Sequence, residues 1–210
     1  MAKLPRPGAV KTRLSPPLSP AQAAGLAAAL LRDSLACLAG ARGIAHALAI
    51  AGDVGEAAVL AGPAIAVIAQ RGDGLSARML NAAADLLAGS EGVLLFGADT
   101  IGLCPADLEG AAVLLAVPGE RIVLGPSEDG GFWLIGMKRA NPLLFDGMRW
   151  SHPAVLPDLL AISARLGLPV GFAPRRADCD TPADLVRAAR EGGPATRAFL
   201  AAWRGGGREA

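Results

Sequence analysis

Val93-Leu94-Leu95-Phe96-Gly97-Ala98-Asp99 is a short apolar run that closes on a glycine and an acid. Four apolar residues in a row, with no polar alternation, fit a strand buried on both faces, as strands of parallel sheets are. Ligands of open α/β sheets bind just beyond the carboxyl ends of such strands, so Asp99 stands where a site is expected. Outward from this run, residues 44–51, 64–69 and 121–124 are similar short apolar stretches ended by Gly, Asp or Pro, and they read as further strands of the same kind. Helical stretches near 75–89 and 106–117 lie between them. The alternation predicts an α/β fold: a mostly parallel sheet with helices on both sides.

Residues 132–137 follow the strand at 121–124 by only a Pro/Gly loop. That loop is too short for a helical crossover, so the strand is expected to run antiparallel and the sheet to be mixed. Ser19-Pro20-Ala21-Gln22 reads as an N-cap, a proline at the first helical position and a glutamine at the third, followed by Leu26, Leu30, Leu31, Leu35 and Leu38 at helical spacing. It predicts a helix over about 20–39. Helices near 154–167, 182–191 and 195–203 and a strand near 169–173 complete one domain over 1–204, with a frayed tail at 205–210.

A chain of 210 residues can bury a sizeable core without staples. Cys37, Cys104 and Cys179 are odd in number and lack C-x-x-C spacing, which predicts reduced thiols in a cytoplasmic protein and no zinc site. A net charge of +1 and the absence of Tyr argue against nucleic-acid partners. No stretch is expected to span a membrane.

Several segments carry residues suited to chemistry. In the loop 5–14, Pro7 and Gly8 shape the backbone while Lys11 and Arg13 flank Thr12 ahead of the first helix, a combination of amides, point charge and guanidinium fork that favours phosphate. A solvated basic arm is the plain alternative. Asp99 can hold a hard divalent cation that bridges phosphates, or simply begin a turn. In 178–185, Thr181, Pro182 and Asp184 read as N-cap, first and third positions of a helix, which leaves Asp180 free as a second metal ligand and Asp178 as a weaker candidate. Glu128, Asp129, Gly130 and Gly131 form a loop whose acids can orient a substrate hydroxyl or act as a base, or serve only as a polar turn. Arg78 and Asn81 offer donors for a base or phosphate, or an exposed helix face. Trp150 covers a sugar or plugs the core; His46 is a packing residue and His152 chiefly a helix-start residue.

In chain order, PRPGAVKTRL (5–14), GAD (97–99), GPSEDGGFWLIGM (125–137), RWS (149–151) and DCDTPADL (178–185) resemble a bacterial family of GT-A-fold transferases often labelled arsenosugar-biosynthesis-type glycosyltransferases. The KTRL loop, a downstream Asn and the DTPADL ending also look like 2-phospho-L-lactate guanylyltransferase and related nucleotidyltransferases. The resemblance implies a three-layer, Rossmann-like nucleotide-diphospho-sugar transferase fold that binds a nucleotide or sugar nucleotide, a small-molecule acceptor and Mg²⁺ or Mn²⁺. It implies phosphate contacts from Lys11 and Arg13 and metal contacts from Asp99 and Asp180. Metal-dependent glycosyl transfer is the leading reading, with nucleotidyl transfer releasing pyrophosphate as the alternative and a degenerate nucleotide-binding module as the third. Relatives have a Pro soon after the first acid where this chain has Ile101-Gly102, a Tyr where Phe132 stands, and a Thr in place of His152. They also carry an apolar strand before the basic loop. Only Met1-Ala2 represent it here, so a truncated first strand is expected, with the coding start lying upstream.

Overall fold

The computed structural model describes residues 1–206. Strands and helices alternate as β1 (Ala2–Lys3), α1 (Pro20–Gly40), β2 (Ala47–Ala51), α2 (Val54–Ala61), β3 (Ala66–Ala69), α3 (Gly74–Leu87), β4 (Val93–Phe96) and α4 (Pro105–Ala116). There follow β5 (Ile122–Pro126), β6 (Phe132–Met137), α5 (Val155–Arg165), β7 (Val170–Phe172), α6 (Asp184–Glu191) and α7 (Pro194–Gly206). Strands β1, β2 and β3 pair in parallel in that order, and a second ladder runs β4-β6-β5-β7. Two backbone bonds cross the seam between the ladders: Met1 N donates to the Phe96 carbonyl at 2.8 Å, and Ala98 N to the Met1 carbonyl at 3.3 Å. As expected from its short connection, β6 runs antiparallel, to both β4 and β5.

Alternate residues of the central strands enter different cores. Leu94 and Phe96 of β4 pack with Leu31, Leu35 and Leu38 of α1 and Leu108 of α4, whereas Val93 and Leu95 pack with Met79 of α3 and Leu159 of α5. This produces three layers with the sheet in the middle. The outer side of α1 seats a third cluster, where Leu26 and Leu30 meet Leu185 of α6 and Leu200 of α7. The N-cap of α1 forms as its residues predict: Ser19 Oγ accepts from Gln22 N at 3.2 Å, and Gln22 Oε1 accepts from Ser19 N at 2.8 Å.

Several expectations need correction. Helix α1 is long and apolar enough, by length and composition, to cross a membrane, but 56% of its most apolar window is buried inside the protein, as in a core helix. The first strand is short, as expected: two residues, Ala2–Lys3, paired with Ile50 and Ala51 of β2. Strand β3 is an edge strand with exposed ends rather than a strand buried on both faces. Helix α2 was not anticipated; Asp53 caps it by accepting from Glu56 N at 2.7 Å. Gly205 and Gly206 form the last residues of α7, and the rest of the expected tail lies outside the described residues.

One buried ion pair ties helix α4 to the segment that carries Asp178 and Asp180. Arg176 Nη2 donates to both oxygens of Asp107, at 2.6 and 2.8 Å, and Asp107 Oδ2 also accepts from Cys104 N at the start of α4. Asp107 is 5% exposed. Asp107→Ala leaves the guanidinium without its partner, and we expect a loss of about 2 kcal/mol in urea unfolding, below the range for a fully buried pair because Arg176 is partly solvated.

Candidate functional site: an acid pair between two clefts

The acids Asp99 and Asp180 meet at one ammonium. Lys11 Nζ lies 2.9 Å from Asp99 Oδ1 and 2.9 Å from Asp180 Oδ1. Its side chain is 5% exposed, against 50% and 42% for the two acids. Burial opposes the charge on Lys11, but the attraction of Asp99 and then Asp180 outweighs it and raises the amine above its ordinary value. Backbone pairing brings the acids together: Cys179 N donates to the Asp99 carbonyl at 3.0 Å, and Thr100 and Asp178 form an antiparallel bridge. Asp178 points differently. Its oxygens accept from Thr100 Oγ1 at 3.0 Å and Ser127 Oγ at 2.9 Å, and burial, moderated by these bonds, pushes its carboxyl up to about 6.

A cleft of about 630 Å³ opens on one side of the acid pair, and Lys11, Thr12, Arg13 and Arg78 line it. Pro7 and Gly8 are exposed and lie outside that lining; Gly8, at φ +77°, shapes the loop instead. Asn81 also lies outside it, with Nδ2 donating to the Arg71 carbonyl at 2.9 Å. A second cleft of about 400 Å³ is lined by Asp129, Gly131, Phe132, Trp150 and His152. The two clefts share Met1, Arg13, Leu75, Gly97 and Asp180.

In the second cleft Trp150 both packs and faces open space. Its ring meets Phe132 edge-on at 6.1 Å and Phe145 at 6.0 Å, while Nε1 donates to Ser76 Oγ at 2.9 Å. Asp129 is exposed, with Oδ1 accepting from Gly131 N at 2.9 Å. Neighbouring Glu128 turns away and pairs with Arg187 of α6 at 2.6 Å, so the structure separates the two acids of this loop. His152 Nδ1 accepts from Ala154 N at 3.2 Å, in keeping with a helix-start residue. His46 packs against the Ala41 carbonyl at 3.1 Å. Gly130 has φ +89°, and a Cβ there would come within 2.0 Å of the Pro153 carbonyl oxygen. Gly130→Ala therefore forces the 126–131 loop off the 152–156 segment; we expect roughly 2 kcal/mol of destabilisation on thermal melting.

The family profile described as an uncharacterized protein conserved in bacteria, DUF2064, matches residues 34–152, more than half of the chain. The chain belongs to the DUF2064 family. The matched span runs from within α1 to the Trp150 segment, and includes Asp99 and Asp129. The fold is that of nucleotide-diphospho-sugar transferases. The crystal structure of a candidate nucleotide-diphospho-sugar transferase from Desulfovibrio desulfuricans G20 superposes with a TM-score of 0.80 at 29% identity, covering 95% of this chain and 90% of that one. A mannosyltransferase from Pyrobaculum calidifontis, solved with GDP-mannose and Mn²⁺, superposes with a TM-score of 0.50 at 16% identity, covering 83% of this chain and 65% of that one. No curated protein matches the chain by sequence.

The donor set suits a hard divalent cation. Asp99 and Asp180 present carboxylate oxygens to one cation already, and Mg²⁺-type sites commonly use one or two carboxylates with substrate phosphates completing the shell. Among the described residues no group of three or more His, Cys, Asp or Glu gathers as a metal site, and the oxygens of Asp178 are engaged by hydroxyls. Cys37, Cys104 and Cys179 are free thiols.

Two contributions lay outside the sequence reading. Gln70 follows β3 directly in the wall of the first cleft, its Nε2 donating to the carbonyls of Ala2 at 2.8 Å and Ala49 at 2.9 Å. A polar residue closing an apolar strand just before Gly72-Asp73-Gly74 was the available signal. Leu75 borders both clefts, and nothing in its sequence context distinguishes it from a core residue.

Proposed function

We propose that this chain is a glycosyltransferase: it takes a nucleotide-diphospho-sugar in the cleft of Lys11 and Arg13, and an acceptor in the cleft of Asp129 and Trp150. The observation that carries the reading is that the clefts share Arg13 and Asp180, so a phosphate held on one side lies beside an acceptor held on the other. The name of the Desulfovibrio relative supports it, as does the resemblance of the motifs at 5–14, 97–99, 125–137, 149–151 and 178–185 to those of arsenosugar-biosynthesis-type glycosyltransferases.

In the reaction, an acceptor oxygen attacks the anomeric carbon of the donor. The bond from that carbon to the diphosphate breaks, and its electron pair leaves with the nucleoside diphosphate. Arg13, exposed at the junction, neutralises the departing phosphate, and Arg78 supplies a second cation along the same cleft. Asp129 is the group positioned to take the acceptor's proton. Trp150 offers a ring face to the acceptor and excludes water from it. Asp99 and Asp180 would hold a divalent cation, Mg²⁺ or Mn²⁺, which would supply further charge neutralisation to the donor's phosphates.

Nucleotidyl transfer fits less well. It requires an anionic phosphate to attack from the second cleft, whose walls include Asp129, Asp178 and Asp180 against the single guanidinium of Arg13. The three free thiols suit a reducing compartment, and we place the enzyme in the cytoplasm.

The test is a thermal-shift series of UDP- and GDP-sugars, with and without Mn²⁺, followed by assay of nucleoside diphosphate release. A sugar nucleotide is expected to raise the melting temperature by several degrees only when Mn²⁺ is present. Absence of any shift, or pyrophosphate release from a nucleoside triphosphate, refutes glycosyl transfer.

A further inference from the structure

We infer that Lys11 and a divalent cation are mutually exclusive occupants of the Asp99–Asp180 pair, so that Lys11 guards the acids until it is drawn away. The inference rests on the donor-site reading of the first cleft and adds a rule for how that site fills.

Lys11 Nζ lies 2.9 Å from Asp180 Oδ1, to which it donates a hydrogen bond, and 2.9 Å from Asp99 Oδ1, with which it forms an ion pair. Both distances are ordinary for charged N···O contacts, so the ammonium sits where an ion shared by the two acids would sit. With no other cation present the stem is held there by its surroundings, since the side chain is nearly enclosed; the backbone at Lys11 adopts φ 49° and ψ 36°, a left-handed conformation uncommon outside glycine. A second cation on the same two oxygens would meet the ammonium at contact distance, and like charges in a partly desolvated cleft repel strongly. One of them must go. Lys11 has somewhere to go, since its own loop from Ala9 to Arg13 lines the donor cleft, where phosphate oxygens offer a replacement anion. The half-exposed faces of Asp99 and Asp180 then turn from ion-pair partners into open ligands.

The chain has three lysines, Lys3, Lys11 and Lys138, which makes the position of Lys11 readable by chemical labelling. In the full chain without metal, mass spectrometry after treatment with an amine-reactive reagent should find Lys11 modified at least tenfold more slowly than exposed Lys3. Adding Mg²⁺ should speed its labelling severalfold while leaving Lys3 unchanged. Independently, electron paramagnetic resonance titration of Mn²⁺ should show Lys11→Met binding the ion at least tenfold more tightly than the wild type, with the gain abolished in Lys11→Met/Asp180→Asn. Circular dichroism checks that both variants fold, and the labelling measurement needs no variant. Equal labelling of Lys11 and Lys3 without metal, no response to Mg²⁺, or no gain in Mn²⁺ affinity in a folded Lys11→Met protein would overturn the inference. None of these measurements contains nucleotide or sugar, so their failure is separate from that of the donor-site reading, which fails when no sugar nucleotide stabilises the chain.

Discussion

Trp133→Ala is expected to lower stability by about 3–5 kcal/mol, the range for removing a large side chain from a packed interior. Trp133 is 2% exposed, among the largest fully buried side chains, and its ring lies over Gly125 of β5 so closely that a Cβ there would come within 2.4 Å of it. Its Nε1 donates to the Pro174 carbonyl at 2.9 Å, so the same side chain fills the core and fastens the strand that leads to Asp178 and Asp180. Truncation leaves a void that backbone on both sides cannot close, together with a carbonyl that has lost its donor. Trp133→Phe isolates the second effect; it should cost about 1–2 kcal/mol plus the smaller volume change. Urea unfolding of both variants measures this, and a loss under about 1 kcal/mol for Trp133→Ala would mean that the surroundings collapse onto the gap.

Asp99→Asn and Asp180→Asn should each reduce turnover by about a hundredfold or more, while melting temperatures shift far less. Either change removes one of the two carboxylates paired with Lys11 and leaves it paired with the other, so the charge balance in the proposed donor cleft changes without creating a cavity. Nucleoside diphosphate release over a range of Mn²⁺ concentrations reads the effect. Turnover near that of the wild type in either variant would remove that acid from the mechanism.

The fold was legible where local chemistry and long-range packing agree. The uninterrupted apolar run of β4 announced burial on both faces, the Ser19 to Gln22 segment announced its helix, and the brevity of the loop before Phe132 announced an antiparallel strand. Helix α2 escaped because seven of its eight residues are Ala, Val, Gly or Leu and carry little periodicity, although Asp53 and Glu56 bore a start signal. The beginning of α6 was misplaced. Thr181 was read as the cap, but its hydroxyl donates to Asp184 Oδ2, which also accepts from the backbone nitrogens of Asp180 and Thr181, and the helix starts at Asp184. Asp99 and Asp180 could be nominated from their places after a strand and before a helix. The link from Lys11 to Asp180 spans 169 residues and follows only from folding. So does the parting of Glu128 from Asp129, which depends on an arginine supplied by α6.

Pairing between residues 99–101 and 177–179 gives the two carboxylates a common backbone rather than two independent side-chain reaches. Ile101 N donates to the Ala177 carbonyl at 2.8 Å, and Cys179 N to that of Asp99 at 3.0 Å. Heat or denaturant therefore should not loosen one acid while sparing the other. The amides of Ile101 and Cys179 should exchange with deuterium only through the same opening event, and ion affinity should vanish in that step instead of fading as the chain warms.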